Sequence, residues 1–240
     1  MSRVSHAQPH DGEFEFWRNH AQISLQPVAA PSILGLFGFA AATFVVAANL
    51  AGWYGDAGTP RFLFPFAALT GGLAQFLAGM WAYRARDGLA TAMHGIWGAF
   101  WLAYGVLFLL VAVGALTPPN PFVPLGYWFI ALAAITWSGT FAALAESIGL
   151  AAVLATLAAG ATCQAIGQIA GISGWRTVGA YIFIASAVIA WYTATAMMLE
   201  GTYRRVVLPI GKMRAPDRPG QEPRQVIQFM AGEPGVKVGQ

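Results

Sequence analysis

Six long apolar runs, parted by short breaks rich in Gly, Pro or Asn, organise this chain. They cover about Pro31–Leu50, Phe62–Tyr83, Ala90–Leu116, Val123–Ala145, Ile148–Ile172 and Thr177–Leu199. Each is near or above the ~20 residues with which a helix crosses ~30 Å of hydrocarbon. Backbone polar groups in lipid must be satisfied within their own segment, which favours helices, and the runs lack the two-residue alternation of a membrane barrel. The pattern predicts an all-α integral membrane protein with six transmembrane helices.

Charge sharpens this picture. Between Gly88 and Leu199 only Glu146 and Arg176 are charged. Charged residues make up 10% of the chain and hydrophobic ones 57%, against ~25% charged in soluble domains. Six spans put both termini on one side. That side holds Arg3, Arg18, Arg84, Arg86, Arg204, Arg205, Lys212, Arg214, Arg218, Arg224 and Lys237, and the other only Arg61 and Arg176. The positive-inside rule therefore puts both termini in the cytoplasm. The organisation expected is a cytoplasmic segment over 1–30, a six-helix domain over 31–199 and a cytoplasmic tail over 200–240, largely disordered after about 212.

The leader is polar, with His6, His10, Asp11, Glu13 and Glu15, which does not fit a cleavable signal peptide. Phe14, Phe16, Trp17, Ile23 and Leu25 leave two readings open, an interfacial segment or a disordered leader. The basic tail fits contact with anionic lipid, and its Glu200, Asp217, Glu222 and Glu233 argue against nucleic acid as a partner. Cys163 is the single cysteine, so no disulfide forms within one chain.

Trp53, Tyr54, Trp81, Tyr83, Tyr127, Trp128 and Trp175 fall near span ends, as interfacial belt residues do. Trp97 and Trp101 lie inside the third span, where helix packing is the plainer explanation. Gly35, Gly38, Gly71, Gly72, Gly79 and the Gly167/Gly171 pair allow close helix approach. Thr43, Gln75, Ser138, Thr162, Gln164, Gln168, Ser186 and Thr195 are polar at depth and individually read as interhelical glue. Gln75 and Gln168 stand out, because a buried amide needs several partners. His94 is the one ionisable group well inside a span, either a functional group or a histidine bonded to a carbonyl.

Chemistry of other kinds finds little support. The chain has no P-loop, no Gly-rich dinucleotide motif, no paired cysteines and no HExxH, so neither a cofactor nor a metal is expected. Ser138-Gly139 lacks the preceding Gly of a serine-hydrolase elbow, and His94 lies on a different span. No enzyme is expected.

Three ordered segments resemble the acetate uptake transporter family, the succinate–acetate permease type of small monocarboxylate transporter. Ala30-Pro31-Ser32-Ile33-Leu34-Gly35-Leu36 is similar to that family's Asn-Pro-Ala-Pro-Leu-Gly-Leu, with Ala30 in place of Asn and Ile33 in place of the second Pro. Gly71-Gly72-Leu73-Ala74-Gln75, Ala78-Gly79-Met80 and Tyr83-Arg84 lead to Gly98-Ala99-Phe100-Trp101-Leu102 with the family's spacing. Val207-Leu208-Pro209-Ile210-Gly211 resembles its signature after the last span, and Ala165–Gly171 resembles its fifth span, with Gln168 where Asn is common.

The resemblance implies a homohexamer with a path through each subunit, and passage of acetate or related short carboxylates, succinate among them, often coupled to protons. It implies a hydrophobic constriction at Phe39, Trp97 and Leu157, where Trp97 stands at a position often held by Tyr. Pro31, Leu34, Gly35, Leu36, Gln75, His94 and Gln168 are the candidate pathway residues. With no Lys or Arg mid-span, two routes remain for a carboxylate. Thr, Gln and helix-terminal N–H groups carry the anion, or it crosses the dry constriction as the neutral acid. The second route is the favoured one. A channel for ammonia, urea or another anion is the rival within transport, and a membrane scaffold or sensor the rival outside it.

Overall fold

The computed structural model describes residues 29–117 and 120–213. The expectations for the leader and for the tail after residue 213 lie outside the described residues. The chain divides into two units, Met1–Ala30 and Pro31–Gln240. The described residues of the second are all-helical, with six helices long and apolar enough to cross a membrane: α1 (Pro31–Leu50), α2 (Pro60–Ala85), α3 (Gly88–Ala112), α4 (Val123–Ala143), α5 (Ile148–Ala170) and α6 (Ser173–Tyr203). All six expected spans are present. The third ends four residues before the expected Leu116, and α6 extends four residues at each end beyond the apolar run.

Local chemistry sets the boundaries. Pro31 opens α1, and prolines stand in the first turns of α2 and α4, where a missing N–H costs nothing. Asp87 caps α3 by accepting the Ala90 N–H at 2.8 Å, and Ser147 caps α5 by accepting the Leu150 N–H at 3.2 Å. Gly171 ends α5 in the left-handed conformation, φ 70°. The expected Gly167/Gly171 packing pair therefore splits: Gly171 is a cap, and Gly167 lies against the Arg176 stem.

Within α2, Pro65 removes an amide donor, and the next eight residues, Ala67–Ala74, follow π-helical pairing before the α-helix resumes at Gln75. This wider turn carries Gly71 and Gly72. A Cβ on Gly71 would stand 2.6 Å from the Ala42 Cβ, and one on Gly38 would stand 2.4 Å from the Thr70 carbonyl oxygen, so α1 and α2 cross at close range. Gly79 against Gly95 and Gly98 against the Phe76 backbone do the same for α2 and α3.

Each helix packs beside its neighbour in chain order and α6 closes on α1, so the six form a ring, with α3–α4 the thinnest seam between consecutive helices. Inside the ring stands an aromatic column. Trp97 meets Phe39, Phe100 and Phe183 edge-on at 6.5, 5.4 and 6.5 Å, and Phe100 continues to Trp101 at 5.1 Å and Phe129 at 5.6 Å. Outward faces remain apolar and exposed, among them Phe62, Leu69, Phe141, Val188 and Trp191. All seven expected belt aromatics are exposed near helix ends.

After α6 the chain turns back on α5. The carbonyls of Gly211 and Ile210 accept the Ile148 and Gly149 N–H groups at 2.9 Å each, and Pro209 accepts the Tyr192 hydroxyl at 2.9 Å. The segment over 207–211 thus satisfies donors that the first turn of a helix leaves unpaired.

Candidate functional site

Along α1, α3 and α5 the same order of positions repeats. Leu36, His94 and Leu154 line a small cavity of about 40 Å³. One helical turn on come Phe39, Trp97 and Leu157, all buried. Beyond them Thr43, Trp101 and Gln164 line a large cavity of about 380 Å³, whose floor includes Trp97 and Leu157. Of the three residues expected at a constriction, Trp97 and Leu157 line the large cavity, and Phe39, which lines neither, meets Trp97 edge-on at 6.5 Å.

Trp97 is held in place by α4. The Trp97 indole N–H donates to the Thr136 hydroxyl oxygen at 3.0 Å, and the Thr136 hydroxyl donates to the Leu132 carbonyl at 2.6 Å. The indole's one polar atom is thus engaged by α4, and Trp97 presents aromatic surface to Phe39, Phe100 and Phe183.

The large cavity lies at the end of the bundle with the α1–α2 and α3–α4 loops, which line it through Ala57, Thr117 and Asn120. Its walls are Phe100, Trp101, Tyr104, Phe129 and Phe183, and its rim carries Asn49, Arg61, Asn120, Gln168 and Arg176. Gln168 accepts the Phe122 N–H at 3.0 Å, Asn120 accepts the Arg176 guanidinium at 2.8 Å, and Gln164 donates to the Arg176 carbonyl at 2.8 Å. At the opposite end, Ser32, Asp87, His94 and Glu146 border the small cavity. The His94 imidazole lies over Gly35: a Cβ there would come within 2.5 Å of the ring. Its Nδ1 is buried without a hydrogen-bond partner, so the expected alternative of a carbonyl-bonded histidine does not describe that nitrogen.

The other candidates scatter. Leu36, His94 and Gln168 line cavities, while Pro31, Leu34, Gly35 and Gln75 line neither. Pro31 starts α1, Gly35 makes room for His94, and Leu34 is 50% exposed on the outer face. Gln75 is buried, with its Oε1 unpartnered. Thr43 Oγ1 and Trp101 Nε1 are also buried and unpartnered, on residues lining the large cavity. Such groups cost ~1–3 kcal/mol each if they stay dry. Of the residues expected as glue, Ser186 joins α6 to the Val153 carbonyl of α5 at 3.0 Å, whereas Ser138, Thr162 and Thr195 bond back into their own helices. Sequence reasoning missed Arg61, Arg176 and Phe183 as cavity residues. The two arginines were visible as the only cations of their face, but as a topology signal.

The profile of the GPR1/FUN34/yaaH family matches residues 13–215, and the chain belongs to that family. It is 28% identical to the succinate-acetate/proton symporter SatP of Escherichia coli K12 over 188 residues, 77% of this chain and 96% of SatP. It is 27% identical over 172 residues to ammonia transport outward protein 2 of Saccharomyces cerevisiae, 70% of this chain and 61% of that protein. The solved structure of the bacterial acetate channel SatP superposes with a TM-score of 0.71 at 27% identity, covering 77% of this chain and all of the other.

Proposed function

We propose that this family member passes acetate and related short-chain carboxylates, succinate among them, across a membrane with linkage to protons. The observation that carries this reading is the alignment of two polar-rimmed cavities on either side of Phe39, Trp97 and Leu157. A dry hydrophobic waist hinders ions by dewetting. An ionised carboxylate there would lose its hydration without a cation to replace it, and the neutral acid would not. Protonation at one cavity and release at the other links flux to protons without an acid inside the waist. His94 is the group offered for proton exchange, Leu36 and Gln168 as wall residues. Pro31, Leu34, Gly35 and Gln75 act through the placement of α1 and α2.

The chain acts as a transporter or channel and not as an enzyme. Its setting is a bacterial cytoplasmic membrane, with both termini in the cytoplasm and six copies assembled through the outer apolar faces, a path in each. Labelled-acetate uptake into proteoliposomes, with and without a pH gradient, tests the reading. Saturable uptake enhanced by an inward proton gradient is expected, and its absence overturns it. The likeness to an ammonia transport protein supports a second reading, a conduit for small neutral solutes. Ammonia flux without acetate flux would favour it.

A further inference from the structure

Arg61 and Arg176 are the only Lys or Arg residues on the face opposite the termini, a face where the positive-inside rule disfavours cations. They stand in the first turns of two different helices, α2 and α6, and both line the large cavity. Among the described residues no carboxylate lines that cavity, and neither arginine has a carboxylate within 4.0 Å. Asp56, the acidic residue of the same face, is turned to its own loop, accepting the Gly58 N–H at 2.8 Å.

The neighbouring amides point the same way. Asn120 and Gln168 each use the carbonyl oxygen within the protein, which leaves their NH₂ groups as the remaining hydrogen-bonding capacity. One Arg176 N–H goes to Asn120, and a guanidinium has further donors. The rim thus keeps positive charge and spare donors, the chemistry that holds a carboxylate. Structural duty accounts for the Arg176 stem against Gly167 and for its backbone carbonyl bonded to Gln164. It does not account for Arg61, which is exposed and has no side-chain bond among the described residues.

We propose that Arg61 and Arg176 form an anion-collecting site at the mouth of the large cavity, which takes short carboxylates in their ionised form before they reach the waist. This inference rests on the carboxylate reading above. It adds a site for the charged species, where that reading describes only the crossing. The dicarboxylate succinate gains more from the pair than acetate does.

Equilibrium binding to the purified full-length protein in detergent tests it, by calorimetry with acetate, succinate and the neutral isostere acetamide. At low salt, Arg61→Gln and Arg176→Gln should each weaken acetate binding about three- to tenfold, and succinate binding more, with acetamide unchanged. Arg176→Lys should bind within about twofold of the parent, and the differences should shrink near 1 M salt, where the Debye length falls to ~3 Å. Arg61→Gln lies on an exposed side chain and stays informative if Arg176→Gln fails to fold. Unchanged carboxylate binding in Arg61→Gln, equal loss in Arg176→Lys and Arg176→Gln, or no binding by the parent would each overturn the site. Absent proteoliposome flux with intact arginine-dependent binding would instead sink the transport reading alone.

Discussion

The two cavities are unlike in the properties that matter to a carboxylate. The one at the loop face is about 380 Å³, walled by aromatics and rimmed by Arg61, Arg176 and amides. The one at the terminal face is about 40 Å³ and bordered by Asp87, Glu146 and His94. A few waters fit the second. Between them lies a layer of Phe39, Trp97 and Leu157 with no charge. The contrast teaches that the proposed path is asymmetric: an anion would meet donors at one cavity and acids at the other. A single charged species is not stabilised along its whole length. A substrate that changes protonation state on the way avoids this conflict.

The strongest way to break the contrast is to merge the cavities. Trp97→Ala removes the ring that touches Phe39, Phe100 and Phe183. Stability should fall by ~3–5 kcal/mol. Transport per folded protein should also change, with the succinate-to-acetate ratio rising about tenfold and leak with it, as loss of a dry constriction requires. Leu157→Ala should act in the same direction with less effect. If yield falls while the ratio stays at the parental value, Trp97 is core and the constriction lies elsewhere.

Next in size is a matched pair of glycine substitutions. In Gly35→Ala the new methyl would lie 2.5 Å from the His94 ring, a side chain that can move. In Gly98→Ala it would lie 2.6 Å from the Phe76 backbone nitrogen, which cannot move alone. Gly98→Ala should cost ~1–3 kcal/mol of stability and leave the transport of the surviving folded fraction unchanged. Gly35→Ala should fold nearly as the parent and lose acetate flux several-fold as the imidazole is pushed into the small cavity. Equal behaviour of the two would mean that Gly35 serves packing only.

His94→Gln probes the acid side more gently. The amide keeps polarity and volume but does not titrate. Peak acetate flux should stay within about threefold of the parent, and the pH dependence between about 5 and 8, where histidine changes charge, should flatten. A parental pH profile at normal expression would end the proton-exchange role.

Much of this arrangement was legible in the residues. Apolar runs and the Lys/Arg asymmetry were enough for the six helices, because lipid punishes charge and unpaired backbone along a whole span. The constriction was expected only through resemblance: Phe39, Trp97 and Leu157 are far apart in sequence, and it takes the packing of the helices to bring Phe39 against Trp97. What the order of residues hid was direction. Leu34 and Leu36 look alike in the motif, yet one faces outward and the other lines the small cavity. Arg61 and Arg176 read only as a topology signal, and it takes the packing of α2 and α6 to put both on one cavity. The π-helical turn over Ala67–Ala74 was also hidden, since a proline such as Pro65 marks a missing donor but not the pairing that follows it.

The smallest effect expected separates the bulk of the waist from its orientation. Trp97 is held by the fully buried Thr136, whose hydroxyl accepts the indole N–H and donates to the Leu132 carbonyl. Thr136→Val keeps the shape and removes both bonds. The indole N–H is then buried without a partner, at ~1–3 kcal/mol of stability. Thr136→Ser restores the hydroxyl and should recover most of that loss. If the waist works by bulk, packing against Phe39, Phe100 and Phe183 holds the ring where it is. Selectivity between acetate and succinate then stays within about twofold of the parent in both variants. A succinate gain in Thr136→Val that Thr136→Ser abolishes would show instead that one hydrogen bond sets the ring's angle. The two cavities would then be kept apart by how Trp97 is turned, not by how much space it fills.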